Sequence, residues 1–264
     1  MDETSPEREA AGRRYSAPAL EKGLDILELL AGERDVLPAS EIAQRLGRSM
    51  GEIFRMLVTL EQRGWLRRGE GNGYGLSLRL FELAHRHPPV ERLLVVALPE
   101  MQRLSERIGQ SCHLSVHHDG RILVVAQAET PRPRGFVVRL GASFGLLETA
   151  SGRVLAAFQS DEERERRLAR GFELEALVDP GEPLRRRLAG ITARGHEAAP
   201  SESVAGILDL SFPLRDHTGR AVAALTLPFA TMLGDTLDSA EATRLLGEAA
   251  ARLSAQLGFR KTSR

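Results

Sequence analysis

The sequence predicts an α+β fold in two parts. A short N-terminal run of helices is closed by a β-hairpin, and a longer C-terminal part builds an antiparallel sheet with helices packed on it. Three observations carry this expectation. Apolar residues recur at helical spacing from Ala19 to Leu60. The three-residue turn Gly47-Arg48-Ser49 separates two of those helices, and a Gly/Asn-rich turn follows between two short strands. Beyond Ser111, strand-length apolar segments alternate with turn signals and amphipathic stretches.

Residues 1 to 18 are charged, hold Pro6 and Pro18 and show no period, so they read as a mobile arm. From Ala19 a helix is marked by Leu20, Leu24, Leu27 and the Leu29-Leu30 pair, with Gly32 at its end. Pro38 opens a second, short helix with Ile42, Ala43 and Leu46 inward and Gly47 as its stop. Ser49-Met50-Gly51-Glu52 has the form of a capping box and starts a third helix, which runs through Ile53, Phe54, Leu57, Val58 and Leu60 to Gly64. Trp65–Arg68 and Tyr74–Leu76 flank Gly69-Glu70-Gly71-Asn72-Gly73 as a hairpin. This order is that of a winged helix-turn-helix, with a generic small helical bundle as the plainer alternative. The glycine where two helices meet at a steep angle favours the former.

Ser77–Ala84 reads as helical, and His85-Arg86-His87-Pro88-Pro89 breaks the run. The expected division is therefore a winged domain over 19–84, a linker helix region over 85–98 and a second domain over 99–264. An amphipathic helix spans roughly Val90–Ile108, with Pro99 expected to kink or restart it. Ser111–His117 and Arg121–Gln127 form a hairpin about His118-Asp119-Gly120, and Phe136–Leu140 is a third strand. Helices follow at Thr149–Phe158, Asp161–Arg170 and Glu182–Arg194. Ile207–Leu214 and Ala221–Phe229 make another hairpin, and Ser239–Leu257 is a last helix.

Composition narrows the function classes. The chain has 264 residues, 42% hydrophobic and 27% charged, which is enough apolar material for a core and excludes a wholly disordered chain. Its longest apolar run, Leu93–Leu98, is far short of the ~18 residues a spanning helix needs. The N-terminus carries acid where a secretory signal needs base, and the single Cys112 makes no internal disulfide, so a cytoplasmic location is expected. Thirty-six basic residues balance thirty-six acidic ones, which removes any argument from bulk charge. Between Glu41 and Arg86, however, eight arginines face five glutamates, a local excess that suits phosphate contacts.

In a helix-turn-helix the start of the second helix meets base edges. Here those positions are Ser49, Met50, Gly51, Glu52 and Arg55. The guanidinium of Arg55 suits guanine or a phosphate, and Glu52 either serves the capping box or accepts from cytosine N4. Arg67 and Arg68, on the wing, suit phosphate or minor-groove contact, or simply protect an edge strand. In the second half, Thr149, Ala150, Ser151 and Gly152 stand at a loop-to-helix junction, where free N–H groups favour an anion and small side chains permit close approach. An ordinary threonine cap explains the same residues. Strand alternation puts His113 and His117 on one face and His118 on the other, so a metal would need a third ligand from elsewhere. Solvated or core-satisfied histidines are expected, with no metal and no cofactor.

Several motifs taken in order resemble the IclR family of bacterial transcriptional regulators. They are Leu27-Glu28-Leu29-Leu30, Glu41-Ile42-Ala43-Gln44-Arg45-Leu46-Gly47, and the segment from Leu57 to Leu66. The second half adds Glu148–Ala157, Arg194-Gly195-His196 and Gly206–Pro213. The resemblance implies a winged helix for operator DNA, a linker helix and a GAF-like effector domain, in dimers or dimers of dimers. It also implies a pocket closed by Asp209, where many relatives carry cysteine, and Thr226, where they often carry serine, with Phe144 and Ile207 as apolar walls. An inward Asp209 suits the hydroxyls of a polyhydroxy or sugar-acid ligand and repels a carboxylate beside it, so a small organic acid rich in hydroxyls is expected ahead of one with an apolar body. Met50-Gly51-Glu52 stands where the family commonly has Lys-Ser-Thr, which removes a cation and two hydrogen-bonding groups. The implied function is a ligand-responsive DNA-binding regulator, not an enzyme and without a membrane partner. Its rivals are a small-molecule or metal-dependent enzyme, for which no nucleophile elbow, phosphate loop or zinc motif is seen, and a sensor acting through protein contacts alone.

Overall fold

Contacts divide the chain into two units, Met1–Pro88 and Pro89–Arg264, in a computed structural model that describes residues 17–85, 88–133, 135–231 and 237–260. The arm expected over 1–18 lies outside the described residues up to position 16. Pro18 itself already belongs to the first helix, where its fixed φ and missing N–H suit an opening position.

The N-terminal unit consists of α1 (Pro18–Ala31), α2 (Ala39–Arg45), α3 (Met50–Gln62), the strands β1 (Leu66–Arg68) and β2 (Tyr74–Leu76), and α4 (Arg79–His85). Its core collects Ile26 and Leu30 from α1, Ile42 from α2, Ile53 and Leu57 from α3, and Leu66 and Tyr74 from the hairpin. The turn between α2 and α3 is short because Gly47 adopts φ +62°, a left-handed conformation that a side chain would strain. β1 and β2 pair antiparallel, Leu66 opposite Leu76, and Leu37 bridges to Tyr74, tying the entry to α2 to the wing. Order, helix lengths and hairpin match the sequence expectation.

The C-terminal unit opens with α5 (Pro88–Ile108), the helix expected roughly over Val90–Ile108. It runs through Pro99 without restarting and takes in most of the expected linker helix region. Leu93, Ala97, Met101, Leu104 and Ile108 lie on one stripe, all buried, so docking of that stripe holds the helix across the proline. The sheet has the order β5-β4-β3-β8-β7-β6, with every neighbour antiparallel. Its strands are β3 (Cys112–His118), β4 (Arg121–Ala128), β5 (Ser143–Gly145), β6 (Glu197–Pro200), β7 (Ile207–Arg215) and β8 (Ala221–Ala230). One face packs on α5 and on α9 (Ser239–Gln256). The other packs on α6 (Ala150–Ala157), α7 (Asp161–Glu175) and α8 (Glu182–Arg194). Both faces of the central strands are covered, which is why β8 reads as an almost continuous apolar run.

Two strands depart from expectation. Phe136–Leu140 forms no strand, and the fifth strand lies instead at Ser143–Gly145, paired with Arg121–Leu123. The chain between returns to β4 through Gly141 N–H to the Val124 carbonyl and Val124 N–H to the Ala142 carbonyl. Residues 136–139 are thereby left to border a cavity. β6, Glu-Ala-Ala-Pro, has little intrinsic strand preference and owes its conformation to the edge of β7. No helix among the described residues is long and apolar enough to cross a membrane.

Candidate DNA-facing helix and effector cavity

Each unit carries one site. In the N-terminal unit, α3 turns Ile53 and Leu57 into the core and leaves Ser49, Met50, Gly51, Glu52, Phe54 and Arg55 exposed. Glu52 serves the helix start. Its Oε2 accepts from the Ser49 N–H and from Ser49 Oγ, both at 2.9 Å, and its Oε1 accepts from Lys22 Nζ at 3.0 Å. Those hydrogen bonds and the lysine hold its carboxyl down at about 2. Of the two roles expected for it, the capping box is the one formed here, and an exposed carboxylate accepting three hydrogen bonds retains acceptor capacity toward a base. The guanidinium of Arg55 has no partner among the described residues, and neither has that of the exposed Arg67 on β1. Arg68 is committed elsewhere. It donates to Glu61 at 2.8 and 3.2 Å and to the Tyr74 hydroxyl at 2.7 Å, and it stacks over the Tyr74 ring.

In the C-terminal unit, a cavity of about 360 Å³ opens where α6 meets the sheet. Of the residues expected to form the pocket, Phe144, Thr149, Ala150, Ser151, Asp209 and Thr226 line it, and Gly152 and Ile207 do not. Ile207 is buried at the start of β7, cross-strand from Ala230. The glycine at 152 answers a packing demand rather than a ligand's approach: a Cβ there would lie 1.9 Å from the Leu146 carbonyl oxygen. Thr149 caps α6, its Oγ1 accepting from the Gly152 N–H at 3.1 Å, and its hydroxyl also meets Ser151 Oγ at 3.1 Å.

The strand register assembles the cavity floor. His113 on β3 faces Thr226 on β8, Ser211 on β7 faces Thr226 from the other side, and Asp209 faces Pro228. His113 and Asp209 thus flank Thr226 on one face of three adjacent strands. The Thr226 and Ser211 hydroxyls bond each other at 2.8 Å. His113 is buried, and its Nδ1 has no hydrogen-bond partner, contrary to the expectation of a satisfied core histidine. Burial depresses its pKa to about 4, so the ring is neutral at pH 7. Burial pushes the half-buried carboxyl of Asp209 above its ordinary range, against the opposing effect of a hydrogen bond with Ser201 and of the Arg153 charge. Ile122, Phe136, Val137, Val138, Ala142 and Val204 supply apolar wall, and the exposed Arg139 adds one cation.

Sequence reasoning missed most of that wall, because residues 136–139 read as a strand. It also missed Arg153. This fully buried arginine donates from Nε to both Glu197 oxygens at 3.0 and 2.9 Å, and from Nη1 to the Leu147 carbonyl and to Glu202. Arg187 donates to the same Glu197 at 3.0 Å. An arginine inside the all-buried helix α6, with a glutamate at the far end of the domain, was the available signal. His117 lies on the same strand face as His113 yet opens on a different cavity, beside Arg167 and Glu163. No cluster suited to a metal ion occurs among the described residues. Cys112 is buried, and burial pushes its thiol up to about 12.

A winged helix-turn-helix unit joined to an α+β unit with a ligand-sized cavity defines a helix-turn-helix transcriptional regulator with a separate sensing domain. Residues 19–70 match the IclR helix-turn-helix domain, and residues 90–255 match the bacterial transcriptional regulator IclR C-terminal domain. The chain belongs to the IclR family of bacterial transcriptional regulators. It is 30% identical to the glycerol operon regulatory protein of Streptomyces coelicolor over 78% of this chain and 82% of that one. It is 27% identical to the HTH-type transcriptional regulator KdgR of Escherichia coli K12, over 92% and 94%. Among solved structures, an IclR homolog from Microbacterium hydrocarbonoxydans complexed with 4-hydroxybenzoate superposes with a TM-score of 0.73 at 27% identity, covering 90% of this chain and 98% of that one.

Proposed function

We propose that this regulator senses a small organic acid that carries a hydroxyl on an apolar body, and that filling the cavity changes its binding to double-stranded operator DNA. The observation that carries the reading is the convergence of His113, Thr226 and Asp209 in the lining of one cavity with largely apolar walls. A ligand hydroxyl placed at that end finds polar partners in surroundings that are otherwise largely apolar. Thr226 and Asp209, beside it, accept or donate to the same end of the ligand. Repulsion by Asp209 sends the carboxylate the other way, toward Arg139 and the free N–H groups at the start of α6. The complex of a family neighbour with 4-hydroxybenzoate supports this class of ligand. The protein acts by binding rather than catalysis, as a homodimer or dimer of dimers in the cytoplasm. The ligand's differential affinity for two arrangements of the oligomer sets the size of the response.

The test is calorimetric titration of the full chain with 4-hydroxybenzoate, benzoate and a panel of aliphatic hydroxy acids, followed by operator binding with and without each binder. A hydroxylated acid is expected to bind and to shift operator affinity. His113→Phe should weaken that acid about tenfold while sparing its analogue without the hydroxyl. Equal loss for both analogues, or no binder that alters DNA affinity, overturns the reading.

A further inference from the structure

The outward face of α3 is unusual for a surface that reads DNA. Met50 is 43% exposed and Phe54 50% exposed, four residues apart and therefore neighbours on one side of the helix. The core does not use them, since Ile53 and Leu57 fill the inward face with no exposure at all. The polar groups that begin the helix already have partners: Ser49 Oγ donates to Glu52, whose oxygens are divided between Ser49 and Lys22. At Gly51 a Cβ would meet nothing within 4 Å, so the helix start lies open beside them. What projects from the first two turns is thus a thioether, a phenyl ring and the unpaired guanidinium of Arg55.

We propose that Met50 and Phe54 recognise thymine 5-methyl groups in the major groove, beside a guanine or phosphate contact from Arg55. The inference rests on the reading of α3 as the helix that enters the groove. The methyl of thymine is the one apolar feature a base pair presents there, and apolar side chains are its natural complement. An exposed thioether and phenyl ring are thereby covered on binding, which is the usual meaning of an apolar patch on an otherwise charged surface. The occupant follows from continuity with the exposed, unpaired Arg55, which adjoins Phe54 on the same helix and which a purely apolar protein partner would leave unused. The specificity of this chain then rests in part on apolar contact from Met50 and Phe54. It discriminates by contact with methyl groups and loses little when salt rises, because neither side chain carries charge.

The experiment begins with selection of duplexes from a random pool by the full-length protein. The selected site is then titrated by fluorescence anisotropy with each thymine replaced in turn by uracil, which pairs identically and lacks only the methyl group. Wild-type protein should lose about fourfold in affinity at each methyl that is contacted. In Met50→Ala and Phe54→Ala the parent site should bind more weakly, and the uracil penalty should vanish at the position each side chain touches. The dependence on salt should stay as in wild type. Thermal unfolding of both variants, expected near the wild-type midpoint because the replaced side chains lie outside the core, separates readout from folding. Equal affinity for thymine and uracil sites in the wild type overturns the proposal, as does a uracil penalty that survives in both variants. A change of oligomeric state in the variants, with DNA affinity intact, overturns it in favour of a second copy covering the patch. If selection yields no preferred sequence and all duplexes bind alike, the reading of α3 as a DNA helix falls first and takes this one with it. Sequence-selective binding without any methyl penalty sinks this proposal alone.

Discussion

Glu52 and Glu197 are the same acid in two different settings, and the difference separates the two sites of this protein. Glu52 is exposed, and its partners are Ser49, three residues back, and Lys22 across one helix contact. Glu197 is 2% exposed, and it binds Arg153 from 44 residues away and Arg187 from 10. The first network marks where a helix begins. Water competes for every bond in it, so little stability depends on any one of them. The second holds a buried arginine inside the C-terminal unit, where removing Glu197 leaves Arg153 with only the Leu147 carbonyl and the half-exposed Glu202. Helix α3 thus starts on local, replaceable interactions, whereas the C-terminal unit joins segments far apart in the chain through a buried pair.

The sharpest way to break that contrast is Glu197→Ala. With Arg153 left buried, destabilisation of about 3–5 kcal/mol is expected in urea unfolding. The double replacement by leucines at Arg153 and Glu197 should recover part of it. A loss below ~1 kcal/mol for the single change would place the two glutamates in one class. Next is the pH dependence carried by His113. Its folded pKa of about 4 lies below the ordinary value of 6.5, so below pH 6.5 the unfolded chain takes up a proton that the folded chain refuses until about pH 4. Its contribution is complete above pH 6.5 and is lost as pH falls through that window, on the order of 3 kcal/mol in total. Comparison with His113→Gln isolates it from Asp209, whose raised pKa acts in the opposite direction. A smaller effect is expected at the reading helix. Ser49→Ala should cost about 1 kcal/mol and speed amide exchange in the first turn of α3 without altering ligand binding. The smallest concerns the wing. Arg67→Ala should lower the log–log salt slope of DNA binding by about one, and Arg68→Ala by less, because Glu61 and Tyr74 already hold that guanidinium.

The two regions were also unequally legible. The capping box at Ser49 and Glu52, the tight turn at Gly47 and the hairpin around residues 69–73 are contained within a few consecutive residues, and each was read correctly. The threonine cap of α6 at Thr149 was legible too, as the plainer of two readings of that junction. The segment 136–140 was misread because a short, mostly apolar run such as Phe-Val-Val is equally suited to a strand and to the wall of a cavity. Only hydrogen bonding with β4 decides between them. At Pro99 the sequence left a kink or a restart open; the helix does not restart, because the local penalty is outweighed by docking of the whole stripe from Leu93 to Ile108.

By itself, then, the sequence determined the element order, the winged helix-turn-helix and the antiparallel α+β domain, because hydrophobic period, caps and turn glycines act over a span of three or four residues. Tertiary structure alone decided which polar groups share an environment. Placing His113, Asp209 and Thr226 around one cavity depends on the register of three strands drawn from distant parts of the chain. Isolating Arg153 with Glu197 depends on the helices that cover them. No short-range pattern encodes a desolvated partner.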